Sequence, residues 1–398
     1  MKELEKKQFV NIFGKNQRKI NNHILRIEKS LPQVKLKDGL PTVIWKKEEE
    51  IQDRMKALAV PGISVAVINN FELEWIKCYG IKDVRTKEPV TVETLFEGGS
   101  VAKAITATAT LSAAIEKRMF GLDVIVNDKL QSWKIPETEY TRETKITLRH
   151  LLAHTAGINR PDSMFGYQQG KQPTLKQVFN GEAPATNDPV EVLFTPGTDH
   201  KYSNFGYVII QKFLEDVSGK TFPNFINELV FKPLNMQNSF FGYPTNDIKE
   251  QAIVPHNQKG EAEETGIHPT ALAMGGLVTT PFDLSKFVVE LMKASKTRRN
   301  ETISSAVAKK MLTPAIKLEP EKWFGFTGQG LGMFLIENEK EVFFTHPGTN
   351  MPGATCLMIG SHTSGQGAII MANGINGELV NLQLLFAIAK EYNWTLWR

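Results

Sequence analysis

Hydrophobic and polar positions along this 398-residue chain fall into successive rhythms. The first 42 residues open polar and lysine-rich. They then place Ile20, Ile24, Leu25, Ile27 and Leu31 at rough helical spacing, so residues 1–42 read as a helical extension packed on the main body. After Pro41 the stretch IWKKEEEIQDRMKAL predicts a second helix, ended by the proline and glycine of AVPG. GISVAVINN (62–70) and ELEWIKCYGIKD (72–83) are rich in β-branched and aromatic residues and flank a tight polar turn, which predicts a hairpin. Helical spacing dominates from about 100 to 295, broken by a Pro/Gly/Asn-rich region at 159–200. Strands return late. GLGMFLIENEKEVFFTHPG (330–348) and GATCLMIGSHTSGQGAIIMANG (353–374) predict two further hairpins, and a closing helix runs from about Glu378 to Asn393.

Strands at both ends with a helical insertion between them imply an α+β fold: one antiparallel sheet assembled from distant parts of the chain and flanked by terminal helices. The expected division is a discontinuous α/β sheet domain, 43–125 and 296–398, and a mainly helical domain, 126–295. The middle reads as an all-helical lobe, with the site in the cleft between the two.

Composition narrows the classes. A hydrophobic fraction of 41% and a charged fraction of 23% are ordinary for a globular protein, which removes support for disorder, collagen or coiled coil. A net charge of +4 on this length argues against a nucleic-acid partner, and the short basic stretch KASKTRRN (293–300) reads as a solvated loop. Cys78 and Cys356 form no CxxC pair and look like buried strand residues, so neither a disulfide framework nor a zinc site is indicated. The charged N-terminus is no secretory signal, and no apolar run is long enough for a membrane span. The expectation is a cytoplasmic protein, or a periplasmic or secreted one if a signal has been removed. The oligomeric state is left open.

Chemistry enters at EGGSVAKAIT (97–106). Ser100 and Lys103 lie three residues apart at a helix start, so amine and hydroxyl share a face. The free N–H groups and positive dipole end of the helix favour an anion beside Ser100. Gly98 and Gly99 let the chain approach closely. A lysine whose pKa is depressed can take the serine proton. Alone the pair is weak, because a chain of this length contains on the order of one or two S-x-x-K matches by chance. It also fits an N-cap serine beside a surface lysine. Company strengthens it: Tyr202 and Asn204 form Y-x-N in KYSNFGY, and His346 and Gly348 form H-x-G in THPGTNMPG, expected on a strand edge.

The order S-x-x-K, Y-x-N, H-x-G resembles the serine β-lactamase and penicillin-binding superfamily, in particular its class C β-lactamase-like branch of esterases and D-amino-acid peptidases. ITLRHLLAHTAGI (146–158), FTPGTDHKYSNFGYVIIQKFLEDVSGK (194–220) and AMGGLVTTPFDLSKFV (273–288) look like blocks of the same branch. The resemblance implies Ser100 as the nucleophile of an acyl-enzyme, Lys103 as its proton partner, and Tyr202, depressed toward phenolate, as a second base. Which of the two is the formal base stays open. Asn204 is expected to bond Lys103 or the substrate amide. The N–H groups of Ser100 and Thr349 would form the oxyanion hole, with His346 and Gly348 lining the substrate. The class C enzymes carry Lys-Thr-Gly where this chain has His346, Pro347 and Gly348, so carboxylate-bearing β-lactams should be poor substrates.

Other residues read more plainly. His150 and His154 are four apart on a helix without a third ligand, which points to packing and capping. Gly275 and Gly276 are expected as close backbone contacts beside the cleft. Phe165, Tyr167, Phe240, Phe241 and Trp323 lie where an acyl pocket could form, although most fit ordinary core or surface. The expected activity is a serine hydrolase on small esters or amides, foremost a carboxylesterase. The alternatives are a D-stereospecific peptidase or amidase, a weak β-lactamase, and, in another class, a non-catalytic relative that binds a partner. The mechanism requires no cofactor and no metal.

Overall fold

The computed structural model describes residues 8–10, 17–160, 166–296 and 302–396, the side chains of Lys46 and Lys47 excepted. Its centre is a nine-stranded antiparallel sheet. The hairpin β3 (Gly62–Asn69) and β4 (Glu72–Gly80) pairs through β3 with β8 (Gly367–Ala372), and the sheet continues through β7 (Ala354–Ser361) and β6 (Val342–Asn350) to β5 (Phe334–Glu337). Strands 300 residues apart in the chain are thus neighbours: Ile63 lies opposite Ala372. The short strands Phe9–Val10, Gly328–Gln329 and Ile316–Lys317 complete the edges. Cys78 and Cys356 are buried free thiols on β4 and β7.

The two sheet faces carry different layers. The closing helix α6 (Gly377–Glu391) and the amphipathic helix α1 (Gln17–Glu28) cover one, where Ile20, Ile24, Ile27, Ile63, Val65, Ile359, Ile370, Leu384 and Ile388 form a core. The other face meets α5 (Pro281–Lys296) and the central helix α3 (Val101–Ile115), which is buried along nearly its whole length. The helix α4 (Asn204–Ser218) crosses α3 from the far side.

Three expectations are corrected. The segment IWKKEEE does not open a helix. It belongs to β2 (Leu40–Glu49), which pairs with β1 (Leu31–Lys37) in a separate two-stranded sheet, and the helix α2 starts only at Ile51. The N-terminal extension is therefore a helix followed by a hairpin, whose Asp38-Gly39 turn has φ of 52° and 77° and joins the strands by a two-residue loop. The region assigned to an all-helical lobe also contributes Phe240–Phe241 and Leu277–Thr279 to a small sheet, which Phe96–Glu97 from the preceding segment completes. Helix α5, expected in that lobe, packs on the main sheet, because Leu284, Val288, Leu291 and Met292 present a continuous apolar stripe to it.

Candidate active site

Ser100 precedes α3 with helical φ and ψ, and its hydroxyl makes no capping bond. The N–H groups of Val101, Ala102 and Lys103 already donate to the carbonyls of Gly98, Gly99 and Ser100. This narrows the expectation of several free donors to the N–H of Ser100 itself. Beside it runs the end of β6. A Cβ on Gly99, whose φ is +51°, would stand 2.5 Å from the nitrogen of Thr349, and one on Gly348 would come within 2.1 Å of Gly98 O and 3.1 Å of Ser100 N. Only backbone without side chains can meet this closely, so the glycines bring the segments carrying the Ser100 and Thr349 N–H groups together. H-x-G does lie at a free strand edge: β5 pairs with β6 only as far as Thr345, and beyond it β6 is paired with β7 alone.

Lys103 is fully buried, with Nζ 3.1 Å from Ser100 Oγ and 2.6 Å from the carbonyl of Met274. It lies over the rings of Tyr202 and Tyr207, at 5.1 and 5.9 Å from their centroids, and no carboxylate pairs with it among the described residues. Burial, aided by the positive charge of Arg160, pushes its pKa well below the usual lysine range.

Tyr202 sits just before α4. Its segment is fixed by His154, whose Nδ1 accepts from the Ser203 N–H at 3.1 Å, whose carbonyl accepts from Lys201 N–H, and whose ring lies 4.4 Å from that of Tyr202. Burial pushes Tyr202 up to about 12, while Ser100 and Arg160 pull it down less strongly. The expected depression toward phenolate is absent because burial of the phenol outweighs the pull of Ser100 and Arg160. Asn204 is the first residue of α4 and lines the cleft. The second partner of Lys103 is Met274 O rather than Asn204, which leaves the substrate amide as the expected partner of Asn204.

The third motif closes the site. His346 is buried, its Nδ1 is 2.8 Å from Pro347 O, and burial with the adjacent Lys103 pushes its pKa to about 3, which keeps it neutral. The Thr349 hydroxyl donates to Glu378 in the first turn of α6. This side of the cleft therefore presents the Glu378 carboxylate.

Sequence reasoning missed the network behind Ser100. Glu97 is buried and accepts from Thr265 Oγ1 at 2.6 Å and from Asn350 Nδ2 at 2.8 Å, and the same amide donates to Gly275 O at 3.0 Å. Burial raises the Glu97 pKa against these hydrogen bonds. A carboxylate held among Phe96, Gly98 and Gly99 was the available signal, but Asn350 is 253 residues away. Gly275 is a close contact as expected, since a Cβ there would meet Asn350 Oδ1 at 2.9 Å. His150 caps its own helix through the Thr147 N–H. Of the aromatics, Trp323 lines the cleft, Phe241 packs against Phe222 and Phe231, Tyr167 faces Tyr243 and His268, and Phe165 lies outside the described residues. The cleft encloses about 1190 Å³.

Residues 48–387 match the family model described as Beta-lactamase. The chain belongs to the beta-lactamase family. Relatives within reach of sequence include the unguisins hydrolase ungD of Aspergillus violaceofuscus, 25% identical over 62% of this chain and 44% of that protein. Protein flp of Staphylococcus aureus is 28% identical over 49% and 37%, and a beta-lactamase of Yersinia enterocolitica 29% identical over 46% and 43%. The chain thus spans less than half the length of these relatives. Among solved structures, the octameric penicillin-binding protein homologue from Pyrococcus abyssi superposes with a TM-score of 0.68 at 24% identity, covering 86% of this chain and 77% of that one. A penicillin-binding protein from Bacillus halodurans gives 0.66 at 20% identity, covering 86% and 99%. At these identities the likeness establishes the α+β family fold. Among the described residues no helix is long and apolar enough to cross a membrane, and no group of three metal-binding side chains occurs.

Proposed function

We propose that this family member is a serine hydrolase that forms an acyl-enzyme at Ser100 and acts on small esters as a carboxylesterase. The observation that carries the reading is a serine hydroxyl released from capping and set 3.1 Å from a buried amine driven toward neutrality. In this reading the Lys103 lone pair takes the Ser100 proton as Oγ attacks the carbonyl, while one N–H still donates to Met274 O. The negative oxygen then develops between the N–H groups of Ser100 and Thr349, each contributing about 3 kcal/mol. Tyr202, a phenol at neutral pH, gives its proton to the departing alkoxide and recovers one from the Lys103 ammonium. Water repeats the sequence on the acyl-enzyme and regenerates Ser100.

Esters are favoured over carboxylate-bearing β-lactams because His346 is neutral and Glu378 stands on the same side. Glu378 also supports a second reading, a D-stereospecific amidase whose substrate ammonium pairs with that carboxylate. Intact-mass spectrometry after fluorophosphonate treatment tests the nucleophile: one adduct on the wild type, none on Ser100→Ala. A panel of p-nitrophenyl esters, D-alanyl peptides and nitrocefin then orders the substrates, and nitrocefin turnover far above that of short esters overturns the assignment.

A further inference from the structure

The cleft has a second half that the chemistry at Ser100 does not use. Beyond Thr345 the edge of β6 is open, and the cavity passes round it onto the sheet face that α6 covers. Register places Phe334, Thr345 and Ile359 on that face in one row, with Pro347 and Leu357 in the next. These form a mostly apolar floor, Leu382 and Leu385 of α6 one wall, and Val34, Leu36 and Pro41 of the N-terminal hairpin the roof, while Lys35, Glu378 and Asn381 add polar groups to the lining. The hairpin is wedged in place: a Cβ on Gly39 would meet Glu321 O at 1.7 Å, and Gln383 of α6 donates to Pro32 O at 2.7 Å. This roof precedes residue 48, outside the stretch that matches the family. At the rim of the same cavity, Leu36, Phe324 and Met351 leave large apolar side chains 57%, 55% and 39% exposed. Singly such exposure is ordinary, but three such side chains on the lining of one cavity suit an apolar ligand.

The two halves meet at Tyr202. Its ring stacks 5.9 Å from that of Phe334, which stacks 4.6 Å from Phe326. The group that protonates a leaving oxygen must stand on the leaving-group side of the scissile bond. The groove therefore begins where the alcohol departs, not where the acyl group is held.

We infer that the substrate is an ester of an apolar, long-chain alcohol, whose alkyl chain lies in the groove between the sheet, α6 and the N-terminal hairpin. The inference rests on the ester-hydrolase reading. From Thr349 to Thr345 the floor extends roughly 13 Å, the extended length of roughly ten carbon–carbon bonds.

The test is a series of acetate esters from ethyl to dodecyl, followed by acetate release, beside ethyl esters of lengthening acyl chain. The alcohol series should gain about fourfold in kcat/KM per methylene, from roughly 0.8 kcal/mol per buried CH₂, and level off near ten carbons. The acyl series should stay nearly flat. Where breakdown of the shared acetyl-enzyme limits turnover, kcat should not change along the alcohol series. Val34→Asp and Leu36→Asp should flatten the alcohol slope while Ser100 still reacts with fluorophosphonate at the wild-type rate. A flat alcohol series, or a slope that both variants leave intact, overturns the inference alone. Absence of both labelling and turnover removes the hydrolase reading and the inference with it.

Discussion

Gly348→Ala tests the assembly of the site most directly. Gly348 has no left-handed φ, so alanine suits its backbone, and the effect of the change comes from the close approach alone. The new Cβ would lie 2.1 Å from Gly98 O. Relieving that clash requires the β6 edge and the Gly98–Ser100 segment to part by roughly 1 Å, a misplacement that costs on the order of a hundredfold in rate. Loss of one aligned oxyanion donor spans about 10²–10³ in kcat, roughly 3–4 kcal/mol, so both routes give the same scale. The effect should fall on kcat with little change in KM, since the donors act on the transition state. Initial rates with p-nitrophenyl acetate measure it, and calorimetry separates it from unfolding. Gly121→Ala is the control, because a Cβ there meets nothing within 4 Å. A Gly348→Ala protein with wild-type melting and kcat within fivefold of wild type would refute the proposed oxyanion geometry.

Other expectations follow from the same site. Lys103→Met removes a fully buried amine whose charging burial opposes, so kcat should fall by about 10³ while the melting temperature holds or rises, as calorimetry beside ester kinetics will show. The base must be unprotonated, so kcat/KM should fall as pH drops through the depressed Lys103 pKa. Because Tyr202 stays a phenol up to about 12 and His346 titrates near about 3, neither adds a limb around neutrality. A limb near pH 6.5 that vanishes in His346→Gln contradicts this. Glu97→Leu strips Asn350 Nδ2 and Thr265 of an acceptor and should cost about 1–3 kcal/mol in denaturant unfolding. Glu97 has a folded pKa above its unfolded value, so its contribution to stability is present at low pH and lost as pH rises through the folded pKa. Glu97→Gln should flatten that decline above the usual glutamate range.

The core strands were legible because β3, β4, β7 and β8 combine dense β-branched sequence with short turns. The N-terminal hairpin was misread for an identifiable reason. KKEEE and the following residues are good helix formers, and their local preference masked the Asp-Gly pair at 38–39, the strongest short-range hairpin signal in the segment. Pairing of β1 with β2 over α6 overrode that preference. Ser100, Lys103, Tyr202 and His346 could be named because motif spacing survives in sequence. The Met274 carbonyl and the Asn350 amide could not be, since both reach the site through backbone placement and contacts more than 170 residues long. The neutral bias of Lys103 and the raised pKa of Tyr202 are products of burial, which spacing alone does not report.

The pairing of β3 with β8 also bears on how the protein comes into being. Ser100 and Lys103 are translated early, whereas the strand that carries Thr349 lies between β5 and β7 and is held in the sheet by residues up to 372. A nascent chain thus carries Ser100 and Lys103 for most of synthesis without the Thr349 backbone beside them. On the proposed mechanism, the order of strands along the chain therefore ties assembly of the site to closure of the sheet: the Ser100 and Thr349 segments can meet only after β7 and β8 are available to hold β6 against the first hairpin.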